Sequence, residues 1–333
     1  MTRAIRWLFL LAGGVLLGVM LARLDLAGVR ASLRETDPLW LGAALLFLTA
    51  NVLVKALRWR WMVIRLTGHR LDLRSAGAAI LAGVAGASFS PGRTVDLAKP
   101  LLLKQRFGVP LAPSTAAALI ERFLDGAALV VLFGASLLVV RVARGAQLHP
   151  VLAAAGVLLV AGAAGLASPR MLRALAARVI RRLPLSEELR SGSARVTEAF
   201  TDSLSLWRTR TNLWPLLGLS VVAALCEAGR LASVFAAMGL PLGFAGGMLT
   251  VSVANLVGVV ALVPGGIGIT ELSMAGVASL VLRVPAAGAA VAGAVLLDRL
   301  LSYYLVAGAG ALILLGGQVF TVGWPKRVRD DQR

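Results

Sequence analysis

Apolar runs of about twenty residues recur along this sequence, and a helix of that length is what a bilayer crossing needs. They begin at Leu8, continue to Gly317, and are separated by polar loops rich in arginine. Hydrophobic residues make up 58% of the chain and charged residues 15%, with a mean hydropathy of +0.84. A soluble domain carries about a quarter charged residues. The chain therefore reads as an all-α, polytopic membrane protein. Its many alanines, glycines and leucines suit membrane helices, where small residues let backbones approach.

The formal net charge is +18. On a soluble chain that would suggest nucleic acid, but no aromatic-interleaved basic surface accompanies it. The basic residues cluster in loops between apolar runs, as the positive-inside rule and attraction to anionic headgroups require. Cys226 is the lone cysteine, and the two histidines, His69 and His149, lack a partner at ligand spacing. No metal site and no cofactor is expected.

Arg3 and Arg6 precede the apolar run Leu8 to Leu21, and no small-residue cleavage site follows it. An uncleaved first span is expected. A second span runs from Leu39 to Leu57, followed by Arg58, Arg60, Arg65, Arg70 and Arg74, which mark a cytoplasmic end. Asn51, Lys55 and Arg58 share one face of that helix. The ordinary reading is that Lys55 and Arg58 snorkel to the interface. Ala76 to Ser90 is short for a span and ends at Pro91-Gly92, which suits a re-entrant half-helix. Further spans are expected at 114–140 and 150–166, at 213–238 and 242–263, and twice within 266–317. Glu227 and Arg230, three residues apart, are expected to neutralise each other.

The stretch 168–212 holds nine arginines against four acidic residues, with apolar residues at helical spacing. It reads as amphipathic helices on the cytoplasmic membrane surface. It separates a first half, 1–167, from a second, 213–333, within one membrane domain. A basic tail at Lys326, Arg327 and Arg329 puts both termini inside. About eight spans, plus broken or re-entrant helices at two Pro-Gly motifs, satisfy this.

Those two motifs carry the chemistry. The first reads SFSPGRTVDLAKP, 88–100, with ERFLD following at 121–125; the second reads ANLVGVVALVPGGIGITELS, 254–273, with DRLLSYY following at 298–304. Each places a backbone break and ionisable groups inside apolar sequence, and the two look like pseudo-symmetric repeats. Pro91 and Gly92, and Pro264, Gly265, Gly266 and Gly268, interrupt the helices. Charge and broken backbone in a membrane persist mainly where they line a protein-enclosed pathway. Arg93, Lys99 and Arg122 suit phosphate or another anionic group. Asp96, Glu121, Asp125, Glu271 and Asp298 suit a cationic or hydroxyl-rich group, with Arg299 beside Asp298. The alternative is that these charges only pair internally and pin two hairpins together. The PGGIG stretch lacks the residues of a nucleotide loop.

The pattern PGRxxD, ERxxD, then Asn255, PGGxGxxE and DRxxxYY resembles the lysylphosphatidylglycerol synthase transmembrane family, described as flippase-like. The resemblance spans about Ala44 to Gly317. It implies a multi-pass protein of the cell (inner) membrane. It also implies movement of an aminoacylated phospholipid, or of a hopanoid, glycolipid or polyprenyl-linked headgroup, between leaflets. Val95-Asp96 stands where the family has Gly-Glu, so the carboxylate is kept but shortened. Full synthases carry a soluble C-terminal domain; the sequence given stops at Arg333, so that activity is not expected.

The expected function is thus lipid transport, without catalytic residues, by rocking of two halves around a polar cavity. Its partners would be the lipid, a possible lipid-modifying enzyme and a possible second copy of the chain, and not nucleic acid. A non-catalytic partner or regulator of a lipid-modifying enzyme or glycosyltransferase is the first rival. A membrane-embedded lipid enzyme is the second, and it would need a nucleophile and base within reach of each other.

Overall fold

The computed structural model describes residues 36–87, 98–109, 111–139, 210–260, 266–284 and 288–316, with a few positions between 174 and 202. The expected spans at 8–21 and 150–166 lie outside these residues. So do most of 168–212, the segment 88–97 with Pro91, Gly92, Arg93 and Asp96, and Pro264 and Gly265.

Among the described residues the architecture is all-helical. The first set comprises α1 (Pro38–Thr67), α2 (Leu73–Ala87), α3 (Ala98–Phe107) and α4 (Leu111–Val139). The second comprises α5 (Arg210–Ala237), α6 (Gly243–Val260), α7 (Ile269–Leu282), and α8 (Ala289–Arg299) running through a π turn at Leu300–Tyr304 into α9 (Leu305–Gly316). Local chemistry fixes the ends of α1. Asp37 accepts from the Leu39 amide, Pro38 supplies the first helical φ, and Gly68 ends the helix at φ 71° with its N–H on the Ile64 carbonyl. Thirty residues of helix are about 45 Å long, more than the ~30 Å of hydrocarbon, so α1 tilts or protrudes. Residues Pro38–Thr67, Trp214–Ala237 and Ala289–Leu314 are long and apolar enough to cross a membrane.

α1 and α5 pack antiparallel along their length. The Asp37 amide donates to the Ala237 carbonyl, Phe47 lies against Gly229, Asn51 bonds the Ala223 carbonyl, and Arg58 bonds Ser220. Numbering rises along one helix as it falls along the other. Asn51 and Ala223 are 172 residues apart, as are Lys55 and Glu227. The same step takes Arg58 to Arg230, Leu81 to Val253 and Lys99 to Glu271. A slightly longer step takes Glu121 to Asp298, Arg122 to Arg299 and Phe133 to Gly310. The two sets are therefore repeats related by a pseudo-two-fold axis that crosses α1 and α5 near their contact. The exchange is reciprocal. α2 of the first repeat packs on α9, where Gly310 meets Leu81, while α6 of the second packs on α4, where Phe133 meets Leu249, Val253 and Leu256.

Each repeat has its own core. Trp59, Met62, Val63, Leu103, Ile120 and Leu124 gather in the first, and Leu231, Phe235, Val251, Met274 and Val295 in the second. At Gly310 the α9 backbone lies so close to the Leu81 carbonyl that a Cβ would overlap it. Gly310→Ala is expected to push α2 and α9 apart at a cost of about 1–3 kcal/mol. Thermal unfolding in detergent reads this, and an unchanged midpoint would contradict the packing.

Candidate functional site

Ionised side chains form three groups between these helices, and the two built around the buried Arg58 and Arg230 lie in equivalent places. In the first repeat Arg58 of α1 is completely buried. Its Nη2 lies 2.8 Å from the Glu121 carboxylate of α4, and its Nη1 lies 2.6 Å from Asp125 and 2.5 Å from Ser220. Lys99 of α3 reaches the other Glu121 oxygen at 2.7 Å, and its ammonium stands 5.1 Å from the centre of the Trp59 ring. Arg122 flanks Asp125 at 4.0 Å and is partly exposed. The ERFLD spacing explains this: Glu121 and Asp125, four residues apart, meet the same guanidinium.

The second repeat repeats the design with one sign reversed. Arg230 of α5, the counterpart of Arg58, pairs with the buried Asp298 carboxylate of α8 and also donates to the Asp298 carbonyl at 3.3 Å. Glu271 of α7, the counterpart of Lys99, accepts from Arg299 Nε at 2.6 Å. Its other oxygen accepts from the Gly268 amide at 2.7 Å. Glu271 thus closes the start of α7 as an N3 carboxylate, where the helix dipole favours negative charge. Gly266 and Gly268 hold φ of 62° and 85°, so only glycine enters the helix here without strain. The π turn directly follows Arg299, whose guanidinium lies 4.4 Å from the Tyr303 ring centre. Arg299 Nη2 is buried with no hydrogen-bond partner among the described residues.

The third group lies between the repeats. Lys55 of α1 pairs with Glu227 of α5 at 2.6 Å. Asn51 and Asn255 approach the two Glu227 oxygens at 3.5 Å each, and Asn51 is anchored on the Ala223 carbonyl at 2.7 Å. An apolar groove of about 430 Å³ runs beside α1, lined by Leu48, Val52, Leu73, Leu81, Leu301 and Val306, with no charged residue among the described residues that line it.

Of the expected site residues, Lys99, Glu121, Arg122 and Asp125 come together in one group, and Glu271, Asp298 and Arg299 in another. Asn255 joins the third. Two expectations fail. Lys55 and Arg58 do not snorkel: both turn inward, because carboxylates on α4 and α5 face them. Glu227 and Arg230 do not neutralise each other, because Glu227 is taken by Lys55 and Arg230 by Asp298. Arg58, Ser220, Glu227 and Arg230 belong to the ionic network although no motif marked them. The constant step between repeats was the available signal, since it aligns Arg58 with Arg230.

A family model described as the lysylphosphatidylglycerol synthase TM region matches residues 6–310. A UPF0104 membrane protein from Methanothermobacter thermautotrophicus is 30% identical over 297 residues, covering 85% of this chain and 86% of that protein. The motif residues 91–100, 121–125, 254–273 and 298–304 all fall inside the matched region, and so do all three ionic groups. The chain belongs to the lysylphosphatidylglycerol synthase transmembrane family.

Proposed function

We propose that this protein carries a lipid headgroup across the membrane along the polar seam between its two repeats, while the tails stay in lipid. The observation that carries this reading is the pair of buried ionic networks, built alike in two antiparallel repeats. Their retention is not explained by stability. Replacing a buried ion pair with well-packed apolar residues is often neutral or stabilising by about 1–4 kcal/mol. Ionised groups inside a membrane more often mark a substrate or ion path.

The parts have separable roles. The first network brings Arg58, Lys99 and Arg122 to Glu121 and Asp125, and guanidinium and ammonium donors of this kind suit a phosphate. The open Nη2 of Arg299 adds a second anion donor beside the glycine break. The apolar groove along α1 has room for part of an acyl chain. Antiparallel repeats are the arrangement in which rocking one half against the other opens a site to alternate faces. The arginine-rich loops favour placement in the cytoplasmic membrane with both termini inside.

The test is reconstitution of the purified full chain into liposomes containing acyl-labelled fluorescent phospholipids, with loss of protected fluorescence after an external quencher as readout. Faster translocation than in protein-free liposomes is expected, reduced at least about tenfold by Arg93→Ala, which removes a motif cation. If no candidate lipid moves in wild-type liposomes, the transport reading fails.

A further inference from the structure

The span Ala289–Leu314 is one helix held by both repeats. Its first part, α8, stays with its own repeat: Asp298 pairs with Arg230 of α5 and Arg299 with Glu271 of α7, and all four side chains are buried. Its second part, α9, goes to the other. Among the described helices it packs on α2 of the first repeat, where Gly310 meets the Leu81 carbonyl. The π turn Leu300–Tyr304 lies between these two attachments, and the Leu305 amide that follows it donates to the Leu300 carbonyl. The equivalent helix of the first repeat makes the same crossing without such a turn. α4 passes the matching positions, Phe123 to Ala127, as continuous α-helix, and its Phe133 reaches Leu249, Val253 and Leu256 of α6. The π turn also borders the apolar groove, which Leu301 lines from within the turn and Leu305, Val306 and Ala309 line from beyond it. On that flank the helix does not meet close-packed protein.

We propose that the π turn is the hinge of the transport cycle: α9 moves with the first repeat, α8 stays with the second, and the helix bends and swivels at Leu300–Tyr304. The proposal rests on the transport reading and names the moving joint of its rocking step. The reason lies in the two attachments. If the helix were rigid, displacing one repeat against the other would break one of them. Breaking the α8 end leaves buried charges without partners. Breaking the α9 end parts the closest backbone contact between α2 and α9. A π turn absorbs the displacement instead. Drawing one residue from i→i+5 into i→i+4 bonding changes the direction and twist of a helix. Its backbone groups stay paired throughout, as a hinge inside lipid requires. The groove gives α9 room to swing, where a close-packed flank would resist. α4, being continuous, is the fixed crossing, so the joint belongs to one repeat only.

The experiment measures spin-label distances on the full chain in liposomes, with the lone cysteine removed as Cys226→Ser. Labels on Leu280→Cys of α7 and Leu312→Cys of α9 report across the hinge. Labels on Leu73→Cys of α2 and Leu312→Cys report within the body that moves together. All three positions are exposed. Two distances are expected across the hinge and one within the body. Deleting Leu300, itself exposed, takes one residue out of the π turn and joins α8 to α9 as uninterrupted α-helix in their present register. This variant is expected to unfold no lower than wild type, to show one distance across the hinge, and to move lipid no faster than protein-free liposomes. Deletion of Ser302 shortens the same turn and serves if the first variant does not fold; the wild-type distances decide if neither does. A single distance across the hinge in wild-type liposomes that move lipid overturns the proposal and leaves the transport reading standing. So does a second distance within the body, or a folded deletion variant that moves lipid at the wild-type rate. Two distances across the hinge in wild-type liposomes that move no lipid sink the transport reading and leave the moving joint standing.

Discussion

Arg58→Met is expected to destabilise the protein by about 3–5 kcal/mol, the cost of leaving a buried charge without its partner. Arg58 is fully buried and spans Glu121 and Asp125 from one guanidinium. Methionine replaces the aliphatic stem and leaves both carboxylates short of a cation. Lys99 still holds Glu121, and Arg122 stands 4.0 Å from Asp125, so the loss falls toward the lower end of that range. Arg58→Lys keeps the charge, but a single ammonium lacks the planar fork that reaches two acids and Ser220, so an intermediate loss is expected. Thermal unfolding in detergent should show the order wild type, Arg58→Lys, Arg58→Met. If Arg58→Met unfolds at the wild-type temperature, the Arg58 ion pairs contribute nothing to stability.

Glu271→Ala is expected to cost a similar amount, about 3–5 kcal/mol, by stranding Arg299. It also takes the acceptor from the Gly268 amide at the start of α7, a further loss of about 1 kcal/mol. The informative comparison is the double variant Glu271→Gln/Arg299→Met. It removes both charges and keeps an amide oxygen for Gly268, so most of the stability should return. Transport should not return, because the anion donor at the glycine break has gone. Unfolding and liposome translocation, measured on the same preparations, separate these effects. A double variant that folds and moves lipid at the wild-type rate would show that Glu271 and Arg299 only hold the fold together.

The helical architecture was legible in the sequence, because the length of its apolar runs decides it. Apolar run length gave α4, α5 and α6 to within a few residues, and the start of α1, whose helix runs ten residues past the expected end at Leu57. The glycine-rich break gave the interruption before α7, where Gly266 and Gly268 hold positive φ. Lys99 with Glu121, and Glu271 with Arg299, follow from motifs already suspected of meeting. Local spacing misled where a partner lay on another helix. Glu227 and Arg230 are three residues apart and invited a local pair, yet each is drawn to a closer opposite charge on α1 or α8. Arg58 opens a run of basic residues with Arg60 and Arg65 and so read as a loop-facing arginine. Nothing in its own neighbourhood announces Glu121, and only its equivalence to Arg230 does. Asp96, the position where the motif departs from its family, lies outside the described residues.

The antiparallel relation of the repeats has an energetic consequence for any rocking cycle. Swapping which repeat is open exchanges most contacts for their counterparts, so the two end states are nearly degenerate. What separates them is whatever the repeats do not share: Lys99 against Glu271, Asp125 against Ser302, Lys55 against Glu227. These three are differences of charge. A membrane potential acts on a displaced charge with about 2.3 kcal/mol per 100 mV for a full crossing. Under the proposed rocking cycle, voltage and the bound headgroup would therefore bias the inward and outward states.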